Sequence, residues 1–148
     1  MNEAEITRYI EETFSGVDVV VASRENGAPE LAWGDSFFSY DPGRDLPADR
    51  RPPFATIVTK DYGGFDAASG LDREGVFRLN VGVGKETFAA LFGREGHDAH
   101  DFAALDRIMP HPVYGRMYWV CVLCPSVATF EAVRPLLDEA YERAAGRR

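Results

Sequence analysis

The chain has little of several features that mark special classes of protein. It has no apolar run near the roughly 20 residues that a membrane-spanning helix needs, and residues 1–13 carry too many charges for a secretory signal peptide. Its two cysteines cannot build a disulfide framework. These absences argue against a membrane partner and a secreted disulfide scaffold, and we expect a cytoplasmic protein.

Positive charge is also scarce. The chain has 16 Lys and Arg against 24 Asp and Glu, a net charge of −8. Residues 1–74 hold 7 basic and 15 acidic residues, so they account for the whole excess. An acidic chain repels phosphate backbones and anionic lipid at long range. We therefore expect no nucleic-acid partner.

The pattern of apolar residues predicts one α+β domain over residues 1–148. Period-two alternation and β-branched runs indicate strands at 17–23, 31–40, 54–60, 76–83 and 117–123. Helical spacing indicates helices at 3–14, 85–92, 102–108 and from 125 to the end of the chain. The Asn26-Gly27 hairpin signal favours antiparallel pairing. We therefore predict a five-stranded, mostly antiparallel sheet with helices packed on one face.

Finer features of this pattern carry their own expectations. The β-branched run at 17–23 predicts a strand buried on both faces, and Pro135 predicts a kink or restart in the last helix. Long polar connections at 41–53 and 61–74 are unusual in so small a domain. They are either lids over a binding site or mobile surface loops, and the sequence leaves both open.

The strand–glycine–helix stretch at 74–93 is the centre of the predicted site. Arg78 and Asn80 are two residues apart on its strand, so their side chains share one face. On an uncovered face, Arg78 could pair with an anionic ligand while Asn80 orients it. The alternative is that Arg78 bridges to one of the acidic residues of the first half.

His111 is the most informative histidine because prolines on both sides fix its backbone. An exposed, rigid imidazole could act as a general acid or base, or as a ligand-binding group. The alternative is a structural histidine bonded to the backbone of a tight turn. We predict that His111 and Arg78 lie on the same side of the sheet within reach of one ligand, with Tyr114 and Arg116 completing the candidate ligand-binding set.

Three other motifs are weaker. Residues 82–87, GVGKET, do not fit a phosphate-binding loop, which would need Gly in place of Leu79 and Ser or Thr in place of Glu86. The CVLC motif at 121–124 has no second cysteine pair, so structural cysteines are favoured over a zinc site. The GHDAHD motif at 96–101 could hold a metal on a helical turn, but a solvated loop is favoured. We predict no metal and no cofactor.

Several short phrases along the whole chain resemble the MmcQ/YjbR-like family of small proteins with a CyaY-like architecture. They are Gly16-Val17, Ser36-Phe37-Phe38, Phe54-Ala55, Leu79-Asn80-Val81, Tyr118-Trp119 and Ala140-Tyr141. The segments at 110–114 and 119–123 look closer to an uncharacterised bacterial family of single-domain proteins. The first resemblance implies the α+β fold and a DNA-binding label, although the basic turn of that family is reduced here to Arg116.

These observations leave three classes of function. We predict a non-catalytic module that binds a small molecule or a protein partner in a groove beside Arg78, Asn80, His111 and Tyr114. The first alternative is an enzyme that uses His111 as acid or base and Arg78 to stabilise an anionic group. The second is DNA binding, which rests on the resemblance alone and is disfavoured by the net charge.

Overall fold

A computed structural model describes residues 1–47, 50–93 and 100–146. The chain begins with helix α1 (Glu3–Thr13), whose first turn is closed by a capping box between Asn2 and Glu5. The later helices are α2 (Lys85–Phe92) and α3 (Val127–Gly146). None of the helices in these three ranges is long and apolar enough to cross a membrane.

The described residues form one antiparallel sheet of six strands. Its strands are β1 (Val17–Val21), β2 (Ser36–Tyr40), β3 (Ala55–Val58), β4 (Arg78–Gly82), β5 (Met109–Pro110) and β6 (Trp119–Leu123). They lie in the order β1-β2-β3-β4-β6-β5, and every neighbouring pair is antiparallel. The predicted α+β class and antiparallel sheet are confirmed.

The structure has one strand more than the five predicted, because the proline-flanked segment after residue 108 pairs with the edge of the sheet. Residues 102–108 form turns rather than a helix, and the proline-flanked segment after them supplies β5. Met109 and Pro110 pair with Cys121 and Val120 of β6. Proline is tolerated at this position because it lacks a backbone N–H, and an edge strand has one side on which no ladder hydrogen bond is needed.

The main hydrophobic core lies between one face of the sheet and the helices. Alternate residues of the central strands point to it, among them Ile57, Leu79 and Val122, while Ile10 and Leu137 enter from α1 and α3. We call this the helix face. The helix predicted from residue 125 onward is confirmed, its Phe130, Val133 and Leu137 are buried, and α3 runs through Pro135 without a restart.

Strand β1 departs from its prediction. It is one of the two edge strands of the sheet, and its first four residues are half-buried rather than enclosed on both sides. Val21 is 52% exposed. The β-branched run therefore reports strand propensity here and not depth in the core.

The opposite side of the sheet, which we call the open face, has no helix packed on it among the described residues. A smaller apolar cluster of Val58, Leu71, Met109, Cys121 and Leu123 covers part of it. Leu71 comes from the connection between β3 and β4, so this connection folds over the sheet. Beside the cluster the open face is concave.

Candidate functional site

A cavity of about 350 Å³ occupies the concave part of the open face. Its walls are largely apolar or aromatic side chains and its floor is polar. The lining residues are Phe37, Pro53, Thr56, Val58, Tyr62, Phe65, Asp66, Arg78, Asn80, His111, Tyr114, Met117 and Trp119. The volume is within the range of small-molecule sites in proteins.

Strand alternation explains why these side chains meet. In β4, Arg78 and Asn80 face the cavity while Leu79 and Val81 enter the helix-face core. Asn80 lies opposite Thr56 of β3 in the sheet register, and its Nδ2 donates to Thr56 Oγ1 at 3.0 Å. The floor is thus fixed by the same pairing that builds the sheet.

The Arg78 guanidinium organises the floor. It is 1% exposed, and its Nε donates to Asn80 Oδ1 at 2.8 Å. Its Nη1 donates to Asp66 Oδ1 at 3.0 Å and to Ser69 Oγ at 2.9 Å, while Nη2 donates to Asp66 Oδ2 at 2.6 Å. The bidentate pair with Asp66 is the bridge to an acid of the first half that the sequence left open as an alternative.

Asp66 is held in place by a short turn. The backbone of Tyr62 and Asp66 forms an isolated antiparallel bridge, and the Tyr62 hydroxyl donates to the buried carboxylate of Asp35. Burial, followed by this hydrogen bond to Asp35, raises the pKa of Tyr62 above its usual range. Tyr62 is therefore a neutral hydroxyl donor at the cavity wall.

Asp35 anchors the start of the same connection. Its Oδ1 also accepts the backbone N–H and the hydroxyl of Thr59, at 2.8 and 2.9 Å. Asp35 is completely buried, so these donors compensate the desolvation of its charge. The segment 62–66 is therefore held at both ends: Tyr62 is bonded to Asp35, and Asp66 is bonded to Arg78.

His111 lies at the other side of the floor and is only 4% exposed, so it has the geometry of the alternative, a histidine bonded to the backbone of a tight turn, and not that of an exposed imidazole. Its Nδ1 accepts the backbone N–H groups of Val113 and Tyr114 at 3.0 and 2.9 Å. Its Nε2 is 3.1 Å from Arg78 Nη2. The turn after His111 explains the burial, because it folds the chain back onto the imidazole.

The charge state of His111 follows from these neighbours. Burial, together with the adjacent Arg78 guanidinium, lowers the pKa of His111 to about 3, against the weaker opposing effect of Asp66. The imidazole is therefore neutral at physiological pH. Because Nδ1 is an acceptor of two backbone N–H groups, the single ring proton resides on Nε2.

The structure thus brings Arg78, Asn80, His111 and Tyr114 to one cavity on one side of the sheet. The Tyr114 ring lies 5.0 Å from the His111 ring, centroid to centroid, at the cavity rim. Arg116 is exposed and does not line the cavity. The ligand-binding and catalytic roles assigned to these residues from sequence stay predictions.

Sequence reasoning did not identify Thr56, Tyr62, Asp66, Ser69 or Trp119 as part of the site. Thr56 and Trp119 could have been found, since strand alternation places them on the face that carries Asn80. Asp66 and Ser69 carried no comparable signal, because they come from an irregular connection. Only its unusual length pointed to a role near a site.

The remaining motifs lie apart from the cavity or are already bonded. Gly84 N–H and the Thr87 hydroxyl both donate to the carboxylate of Glu139, so a protein carboxylate occupies the N-terminus of α2. Cys121 is buried and Cys124 half-buried, and both are free thiols. Burial raises the pKa of Cys121 to about 12.

The GHDAHD motif falls largely outside the described residues, which exclude His97 and Asp98. His100 is described, and its ring lies near those of Phe92 and Phe102. Among the residues that the structure describes, no group of three or more His, Cys, Asp and Glu side chains is placed to hold a metal ion.

Comparison with known proteins assigns the chain at the family level. No curated protein and no solved structure matched the sequence. One family model, described as a family of unknown function (DUF6194), matches residues 1–148. This match agrees with the predicted resemblance to a family without an assigned activity, and it adds no support for the MmcQ/YjbR-like assignment. The chain belongs to the DUF6194 family.

Proposed function

We propose that this domain binds a small molecule in the open-face cavity without transforming it chemically. The observation that carries this proposal is the combination of largely apolar walls with a buried, pre-built polar floor. Binding sites for small molecules have this composition, in which apolar area supplies affinity and a few fixed polar groups supply orientation. The rigid floor also lowers the entropy cost of binding.

A small ligand fits the cavity better than a protein partner. The polar groups lie at the bottom of a concave site, where a flat protein surface would not reach them. Exposed side chains surround the opening, with Phe65 53% exposed and Met117 63% exposed. These side chains can close over a ligand that has already entered.

Binding is favoured over catalysis by the state of His111. The enzymatic alternative requires this histidine to take up and release a proton near neutral pH. Its pKa of about 3 leaves it neutral there, and its one lone-pair nitrogen already accepts two backbone N–H groups. Arg78 is equally committed, because four of its five N–H groups are bonded to protein oxygens.

The finer identity of the domain is also part of this proposal. We infer a bacterial, cytoplasmic protein of MmcQ/YjbR-like architecture, on the strength of the sequence phrases and the two free thiols. We do not extend the DNA-binding label of that family to it. The net charge of −8 opposes binding to a phosphate backbone.

The test is a small-molecule screen by thermal shift, since a ligand that binds only the native state raises the melting temperature. Hits are compared between wild type and Phe65→Ala, which trims the cavity rim. Leu31→Ala is the matched control, because Leu31 is similarly exposed at 46% and does not line the cavity.

We expect Phe65→Ala to raise the dissociation constant of a true ligand at least about tenfold, since it removes apolar contact area. Leu31→Ala should leave it unchanged. A screen whose hits bind both variants as tightly as wild type would refute the proposed cavity site.

A further inference from the structure

The cavity floor has more N–H donors than protein acceptor atoms to receive them. Every buried side-chain nitrogen and oxygen among the described residues has a polar neighbour within hydrogen-bond distance. However, the neighbour of Arg78 Nη2 at 3.1 Å is His111 Nε2, and a guanidinium nitrogen can only donate. Whether this contact is a hydrogen bond therefore depends on where the imidazole proton resides.

The turn after His111 decides the position of that proton. A proton on Nδ1 would point at two backbone N–H groups that lie 2.9 and 3.0 Å away. A proton on Nε2 leaves Nδ1 free to accept both of them. The second tautomer is the one that the fold supports, so Nε2–H and Nη2–H are both donors and face each other.

Counting hydrogens shows what is left over. Four protein oxygens take four of the five N–H groups of Arg78. The second Nη2–H and the Nε2–H of His111 remain. Asp66 Oδ2, which accepts the first Nη2–H, is 3.9 Å from Nε2, which is too far for a hydrogen bond. Within the described chain, two adjacent donors at the floor of the cavity thus have no acceptor.

We infer that the ligand presents a neutral carbonyl oxygen to this donor pair, formed by Arg78 Nη2–H and His111 Nε2–H, with an apolar body against the cavity walls. This inference rests on the proposed function and specifies its ligand class. One carbonyl oxygen has two lone pairs and can accept both hydrogens. Ketones, amides and esters attached to a ring or chain are the matching compounds.

Charge separates a carbonyl from a carboxylate. The Arg78 charge is already neutralised by the bidentate Asp66 carboxylate, and His111 is neutral. A ligand carboxylate would therefore add an uncompensated negative charge at a buried position close to Asp66. Burial of an unpaired charge is costly, whereas a carbonyl makes the same hydrogen bonds without it.

Three probes of one shape test this inference. Acetophenone has the carbonyl, α-methylstyrene replaces its oxygen by a methylene group, and benzoate is the anionic counterpart. Hydrophobicity alone would favour α-methylstyrene. We expect acetophenone to bind at least about tenfold more tightly than either other probe, the factor that one well-made hydrogen bond supplies. Dissociation constants come from chemical-shift titration of the 15N-labelled protein.

A second readout reports the donor pair directly. Acetophenone should shift the His111 Nε2–H signal, and α-methylstyrene should not. The variant His111→Asn tests the same point, because its amide oxygen can replace Nδ1 as the acceptor for the turn while the Nε2–H is removed. In His111→Asn, the affinity for acetophenone should fall close to that for α-methylstyrene. If this variant does not fold, the wild-type Nε2–H signal alone decides.

The outcomes separate the inference from the proposed function. If α-methylstyrene binds as tightly as acetophenone, or benzoate binds most tightly, the cavity binds ligands but the carbonyl inference is overturned. If none of the three probes shifts residues of the cavity at millimolar concentration, the proposed function fails together with the inference. Preference for acetophenone with a shifted Nε2–H supports both.

Discussion

The two faces of the sheet are built from the same strands but stabilised by different means. On the helix face, a single cluster of apolar side chains from β2, β3, β4 and β6 packs against α1, α2 and α3. On the open face, the apolar cluster is small, and a buried network around Arg78 and Asp66 takes its place. Stability is distributed on the first face and concentrated on the second.

This difference bears on function. Apolar burial on the helix face tolerates the loss of one methylene at a moderate cost. The open face depends on charge and hydrogen-bond partners that must all be present, and such networks are retained where a specific arrangement is needed. A cavity lined by that network can have a fixed shape without being filled by side chains.

Removal of the Asp66 carboxylate should have the largest effect. Asp66→Ala leaves the Arg78 charge buried at 1% exposure without its partner, and breaking a buried pair in this way costs about 3–5 kcal/mol. Denaturant unfolding measures the loss. The double variant Asp66→Ala/Arg78→Met removes both charges and should recover at least half of it, which a purely local defect in the connection would not allow.

Leu137→Ala tests the helix face. Leu137 is completely buried in α3, so the substitution should cost about 2–5 kcal/mol of unfolding free energy. Ligand binding in the cavity should be unchanged in the folded variant, since Leu137 lies on the other side of the sheet. A denaturant midpoint equal to that of wild type would show that α3 does not contribute to the core.

Acidification should weaken the open face through His111. Its folded pKa of about 3 is below the ordinary value of 6.5, so the unfolded chain binds a proton that the folded protein excludes. The stability from the neutral imidazole is complete above pH 6.5 and is lost as pH falls towards 3. One pKa unit corresponds to about 1.4 kcal/mol.

The measurement is the unfolding free energy at pH 6.5 and about pH 5. Wild type should lose about 2 kcal/mol more than His111→Asn over this interval. The asparagine variant keeps an acceptor for the turn and has no titrating group at position 111. Comparing the two proteins therefore cancels the contribution of the acidic side chains, which both contain. Equal losses in the two proteins would mean that His111 is not excluded from protonation by the fold.

The sequence predicted the helix face better than the open face, for physical reasons. Apolar periodicity predicted the strand at 76–83 and the last helix, which bring Leu79, Val81 and Leu137 to the core, because this signal repeats along each element. It also placed Arg78 and Asn80 together on the opposite face. What it could not supply was the pairing of Arg78 with Asp66, since that contact depends on how an irregular connection folds over the sheet.

The same limit explains one wrong prediction and one question that the sequence left open. Residues 102–108 have helical spacing in a segment too short for propensity to outweigh its surroundings, and the fold uses it as turns. For His111, the sequence left an exposed group and a backbone-bonded histidine as alternatives, because flanking prolines fix the local backbone and carry no information about burial. Its burial results from the turn at 112–114 and from β5, both of which require the neighbouring strand β6.

One tyrosine on each face allows a direct comparison of the two faces, with the smallest expected changes in stability. Tyr141 on the helix face stacks on Phe14 with ring centroids 4.7 Å apart, and its hydroxyl donates to the Ser15 carbonyl at 2.6 Å. Tyr114 on the open face is 41% exposed and contacts His111 at the cavity rim. Tyr141→Ala should cost about 2 kcal/mol, whereas Tyr114→Ala should cost under about 1 kcal/mol.

Only one of the two variants should change ligand binding. Tyr114→Ala should weaken binding to the cavity because its ring is part of the wall, and Tyr141→Ala should leave binding intact once the protein is folded. Unfolding curves and ligand titrations of both proteins give the four numbers required. If Tyr114→Ala proved as destabilising as Tyr141→Ala without any change in affinity, the open face would be an ordinary second core. Its aromatic rim would then serve packing and not recognition.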